Sequence, residues 1–199
     1  MKRNLILAGI LAVSMISYGQ GVLNFANSSS TLISANGTPM PGTQQFIFAL
    51  FLASSTTVSS TNLTASYADP VFQAVSAYNT NIASTPGRLV SRALLDMGLP
   101  VAAAVDFVVR GWSANAGTTW DEARTTWNNG NPLVPMFIGS SVIGNDFLLG
   151  GGPFPVGSVF GSSATQVPGF DMTFVPEPSS LTLLGLGLAA IWRLRRRSP

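Results

Sequence analysis

The sequence predicts an all-β domain, an antiparallel β-sandwich with one short loop helix. An N-terminal signal helix precedes it and a C-terminal single membrane helix follows. Three observations carry this. Charged residues make up 9% of the chain, against about a quarter in ordinary soluble domains, too few for the solvent faces of a helical bundle. Turn residues punctuate the chain at Asn36-Gly37-Thr38-Pro39, Pro86-Gly87, Gly98-Leu99-Pro100, Asn128-Asn129-Gly130-Asn131-Pro132 and Gly150-Gly151-Gly152-Pro153. Between these stops lie short apolar or alternating segments, the pattern of many strands joined by turns.

Residues 1–19 have the three parts of a secretory signal. Lys2 and Arg3 are the positive start, Leu5 to Val13 is the apolar run, and Ser17 and Gly19 put small residues before a cleavage point at Gln20. The first partner implied is the secretion machinery. A domain over 20–175 follows.

Within that domain, Gln44 to Ala53 is apolar on both faces and too short to cross a bilayer, so it reads as a central core strand. Val101, Ala103, Val105, Phe107 and Val109 form one face of a long strand, with Asp106, Val108 and Arg110 on the other. Phe170, Met172 and Phe174 alternate with Asp171 and Thr173, a half-buried strand. Shorter candidates are 21–26, 70–78, 88–94, 134–143 and 156–160. The helix is predicted from Thr119, an N-cap with Glu122 three residues on. Trp120, Ala123, Arg124 and Trp127 then share one face.

Charge and composition exclude several chemistries. Between the two ends, four arginines face seven acidic residues, a net charge of −3 over 20–175. Such a domain has no basic patch for nucleic acid. The chain has no cysteine and no histidine. Disulfides, thiolate metal sites and cysteine nucleophiles are ruled out, and so is the usual general base near neutral pH. No D-x-D-x-D run offers a calcium loop. No cofactor and no metal site is predicted.

Residues 176–199 are the most specific part of the sequence. Pro176-Glu177-Pro178 is held extended by its prolines. An apolar stretch runs from Leu181 to Trp192, and Arg193, Arg195, Arg196 and Arg197 close the chain. The arginines fix a C-in orientation by the positive-inside rule. The 16 residues from Ser179 to Leu194 fall short of the roughly 20 of a comfortable span, which suits a temporary anchor.

This arrangement resembles the PEP-CTERM sorting signal of Gram-negative bacteria. The resemblance implies a membrane-bound exosortase as partner and a setting of exopolysaccharide production. The segments 21–27, 48–51 and 108–113 resemble an uncharacterised Verrucomicrobia-like group of such proteins, which brings no activity with it. The expectation is an exported, non-catalytic surface or extracellular-matrix protein. It would be anchored transiently in the inner membrane, N-out and C-in, and then reach the cell surface or medium.

Two alternatives rest on particular residues. Trp112, Trp120 and Trp127 would stack on sugar rings in a module that binds exopolysaccharide, although tryptophans more often fill cores. Asp106 with Asp121 or Glu122 would be the carboxyl pair of a glycosidase. The simpler expectation is an exposed Asp106–Arg110 ion pair, with Asp121 and Glu122 favouring the start of a helix. Asn27-Ser28-Ser29 and Asn62-Leu63-Thr64 fit the glycan-acceptor pattern and are taken as turn residues.

Overall fold

A computed structural model describes residues 19–55, 67, 70–72, 74–128 and 136–175. The predicted signal helix and membrane helix lie outside these residues, apart from Gly19. Among the described residues no helix is long and apolar enough to cross a membrane.

The strands are β1 (Gln20–Phe25), β2 (Ser34–Ala35), β3 (Thr38–Pro39), β4 (Phe46–Ser54), β5 (Val75–Thr80), β6 (Arg92–Pro100), β7 (Ala104–Ser113), β8 (Met136–Ser140), β9 (Gly144–Leu148) and β10 (Asp171–Val175). The α-helix α1 covers Trp120–Asn128, and a 3-10 turn at Pro70–Phe72 precedes β5. The fold is all-β, as expected, but its layers differ from two matched antiparallel sheets. Among the described residues one sheet has eight strands in the order β3-β2-β10-β8-β7-β4-β5, with β9 also on β7. The other is the two-stranded β1–β6 ribbon. The large sheet is mixed, because β10 runs parallel to β2 while pairing antiparallel with β8.

The β4–β7 pair is the centre. Its register runs unbroken from Phe46↔Ser113 to Ser54↔Val105. The first six residues of β4 are buried on both faces, as its continuous apolar run requires. On one face Phe46, Phe48, Leu50, Phe107 and Val109 pack with Leu23 and Phe25 of the ribbon. On the other, Ile47, Ala49, Phe51 and Val108 pack with Trp112, Trp120 and Ala123. Each fully buried aromatic or aliphatic side chain contributes roughly 1.5–3 kcal/mol.

Two glycines in this sheet make room for rings. Gly111 pairs with Phe48, and a Cβ there would lie 2.5 Å from the Phe48 ring. Gly144 pairs with Phe107, and a Cβ there would lie 2.4 Å from that ring. Each phenylalanine lies across the gap that its glycine partner leaves.

Side-chain amides and hydroxyls complete the ladders. Ser141 bridges the break between β8 and β9: its N–H donates to Val109 O at 2.8 Å, and its Oγ accepts from Val109 N at 3.0 Å. Asn27, buried, donates to Thr31 O and Gly87 O at 2.9 and 2.7 Å and accepts from Leu89 N at 2.8 Å. It clamps the end of β1 to the 87–89 turn and offers no free amide for a glycan. Asn62 lies outside the described residues. Asn36 and Gly37 have φ of 51° and 75°, the hairpin turn that an Asn-Gly pair favours. Asn36 Oδ1 also accepts from Phe174 N at 3.0 Å, tying the hairpin to β10.

Several boundaries shift from expectation. The 88–94 candidate begins later and runs through Gly98-Leu99-Pro100, expected as a turn. Gly98 takes φ 67° within β6, its N–H held by Asp96 Oδ1 at 2.8 Å. The 134–143 candidate holds β8 and ends just before β9, which begins at Gly144. The 156–160 candidate forms only isolated bridges, Asn24↔Ser158 and Phe160↔Val167.

Candidate functional site

The tryptophans gather on the α1 side of the large sheet, for a local reason. Thr119 and Glu122 form the expected capping box. Glu122 Oε2 accepts from Thr119 N at 3.2 Å, and Thr119 Oγ1 accepts from Glu122 N at 3.4 Å. Glu122 also accepts from Thr118 N at 2.6 Å, and these amides hold its carboxyl below the usual glutamate range. The cap fixes where α1 starts, and that start drops Trp120 and Ala123 onto β4 and β7.

The result is a packed aromatic cluster. Trp120 lies 5.7 Å from Trp112, 5.5 Å from Phe51 and 5.8 Å from Tyr67, centre to centre. Trp127 meets Tyr67 at 5.6 Å. Trp112 Nε1 donates to Gly117 O at 2.9 Å. Trp112 and Trp120 are 0% and 1% exposed. Neither has a face open to a sugar ring; both fill the core, as tryptophans more often do. Trp127 is half-buried against Tyr67.

Arg110 sits inside this cluster. Its guanidinium carbon lies 4.6 Å from the Phe51 ring centre and 4.7 Å from that of Trp120, and its Nη1 donates to Phe72 O at 2.7 Å. Cation–π contact strengthens when the cation is desolvated, as here. Burial pushes the Tyr67 phenol up to about 12, while the Arg110 charge pulls the other way.

The expected exposed Asp106–Arg110 pair is therefore corrected. Both residues are 0% exposed. The second face of β7 is covered by α1, Tyr67 and Phe72, which strand alternation alone does not reveal. Asp106 Oδ1 accepts from Asp146 N at 3.0 Å, supporting a residue held at φ 52°.

The three carboxylates of the glycosidase alternative have different surroundings. Asp106 is sealed within the sheet, Asp121 is exposed and paired with Arg124 at 3.4 Å, and Glu122 is committed to the helix cap. Among the described residues no group of three acidic, histidine or cysteine side chains could hold a metal ion.

A groove of about 590 Å³ runs along β5, with Gln45, Tyr78, Thr80, Arg92 and Thr118 in its lining. None of the three tryptophans lines it. Its polar groups largely serve the fold. Arg92 Nη1 donates to Tyr78 O, Val90 N donates to Thr80 O at 2.9 Å, and Tyr78 Oη accepts from Trp120 N at 3.2 Å. These contacts cover the outer edge of β5, which would otherwise invite another strand.

The remaining candidate site follows β10 in sequence. β10 is the last strand among the described residues, yet it lies inside the sheet between β2 and β8. Phe174 pairs with Phe137 and Val175 with Met136. Pro176 follows at once. Residues 174–197 match the PEP-CTERM protein-sorting motif. The chain carries a PEP-CTERM sorting signal. The match takes in Pro176, Glu177 and Pro178, the apolar stretch, and Arg193, Arg195, Arg196 and Arg197. It supports an exported protein that is an exosortase substrate. No curated protein and no solved structure matches the chain.

Proposed function

We propose that this protein crosses the inner membrane by the general secretory route. Its apolar tail then holds it N-out and C-in until a membrane-bound exosortase cuts beside Pro176-Glu177-Pro178. The freed domain acts as a non-catalytic surface or matrix protein. The observation that carries this reading is the PEP-CTERM motif, which begins within β10, a paired strand of the sheet. The non-catalytic part is supported by the separate surroundings of Asp106, Asp121 and Glu122.

The test is to express the chain in host strains with and without the protease and weigh its C-terminus in membrane and extracellular fractions. The reading expects a shortened form only where the protease is present. An identical C-terminal mass in both strains would sink it.

A further inference from the structure

We infer that the sheet end from which β10 exits is the face that lies against the lipid surface while the protein is anchored. This rests on the proposed anchoring. It adds which part of the domain meets the membrane.

Tether length comes first. β10 stays paired to Val175, and only Pro176 to Ser180 separate it from Leu181, where the apolar stretch starts. Five residues in the extended form that the prolines favour reach about 16 Å. The headgroup layer takes up about 5–7 Å of that. The end of the sheet is thus kept within about 10 Å of the headgroups, roughly one Debye length.

Register then identifies what else is at that end. Val175 is level with Met136, and Ile138 of the same strand pairs with Trp112. Ser113 in turn faces Phe46, so the loops 42–45 and 114–119 lie at this end. Asn81 joins them, since its Oδ1 accepts from Phe46 N at 2.8 Å. The Asn36-Gly37 turn is there too, bonded to Phe174.

The chemistry of this end suits a lipid surface. The segments 36–45, 81–87 and 114–119 contain no ionisable residue. These segments therefore bring no charge of their own to be stripped of water at the anionic headgroups. Thr43, Gln44, Gln45 and Asn115 offer hydroxyls and amides instead. Phe174, 37% exposed and 5.1 Å from Phe137, adds an aromatic edge of the kind that settles at interfaces. The nearest acids are held: Asp171 by the Gly37 N–H at 2.9 Å, Glu122 by the cap amides and Asp121 by Arg124.

The test uses the absence of native cysteine. Thr43→Cys marks the tail end. Leu148→Cys, whose residue pairs with Ala104 at the other end of β7, marks the far end. Both positions are exposed. The full-length chain, labelled with a fluorophore, is reconstituted into vesicles of phosphatidylethanolamine and phosphatidylglycerol carrying a headgroup acceptor dye, with no protease present. Near-UV circular dichroism checks that both variants are folded. The two ends lie about 30 Å apart along β7, so quenching at 43 should exceed that at 148 by at least about fivefold.

Equal or reversed quenching, in chain that floats with the vesicles, would overturn the orientation alone. Failure to float would overturn the anchoring reading and this inference with it. Quenching at 43 that appears only when the protease is added back would overturn the lipid in favour of the protease as the occupant.

Discussion

Replacing Asn27 with alanine should destabilise the protein by about 2–4 kcal/mol, because one buried amide holds three backbone groups. Its Oδ1 accepts the Leu89 N–H, and its Nδ2 donates to the carbonyls of Thr31 and Gly87. Truncation leaves the Leu89 N–H buried without this acceptor, a cost of roughly 1–3 kcal/mol on its own. Gly87 O suffers less, since it keeps the Ile33 N–H at 3.0 Å. For a domain of this size the sum lowers Tm by about 5–15 °C.

The assay is thermal unfolding followed by tryptophan fluorescence, since Trp112 and Trp120 pass from core to water. Asn27→Asp adds a pH test. A carboxylate there still accepts from Leu89 but faces two carbonyl oxygens, so its folded pKa rises above the unfolded value. The variant should be least stable above that raised pKa and recover as pH falls below it, when the acid can donate again. A Tm within about 2 °C of wild type for Asn27→Ala, or no recovery of the aspartate variant in acid, would refute the clamp.

Arg110→Ala should cost about 3–5 kcal/mol through lost packing and cation–π contact, and Arg110→Met should recover part of it; urea midpoints of the two variants measure this. Glu122 should titrate below the ordinary glutamate range in a carboxyl NMR experiment. The cap it provides is complete above the unfolded glutamate pKa and is lost as pH falls through the lowered one, so the α1 amides should lose protection there, measured against their intrinsic exchange rates at each pH. Gly144→Ala should cost about 1–3 kcal/mol, because a methyl would press on the Phe107 ring. Calorimetry on that variant should show a lower Tm, and the double variant with Phe107→Leu should regain some of the loss.

What could be read from the sequence was local. Gln44 to Ala53 announced β4 because a strand buried on both faces needs no alternation. Thr119 with Glu122 announced the helix start, and Asn36-Gly37 a tight turn, because each motif satisfies its own backbone. What could not be read depends on partners far along the chain. Asp106 and Arg110 looked exposed because an alternating strand gives no sign that α1 and Tyr67 will cover its second face. β9 was hidden by Gly144, whose value lies in making room for Phe107 from another strand. The parallel β10–β2 pair joins Asp171 to Ser34, and five apolar-alternating residues do not specify a neighbour that distant. The tryptophans had two readings from composition alone, because the burial of Trp112 and Trp120 depends on where α1 packs. The sorting signal was legible because it acts as a linear motif.

The most direct test of the account is the C-terminal mass of the exported protein in three backgrounds. Wild type in a protease-positive host should end near Pro176-Glu177-Pro178 and have lost the arginine cluster. The same chain in a protease-negative host should keep its tail through Pro199, and so should Glu177→Ala in the positive host. Trimming of the Glu177 variant at the normal position, or of wild type without the protease, would contradict the account. The tail would then be a plain anchor cut by a general protease.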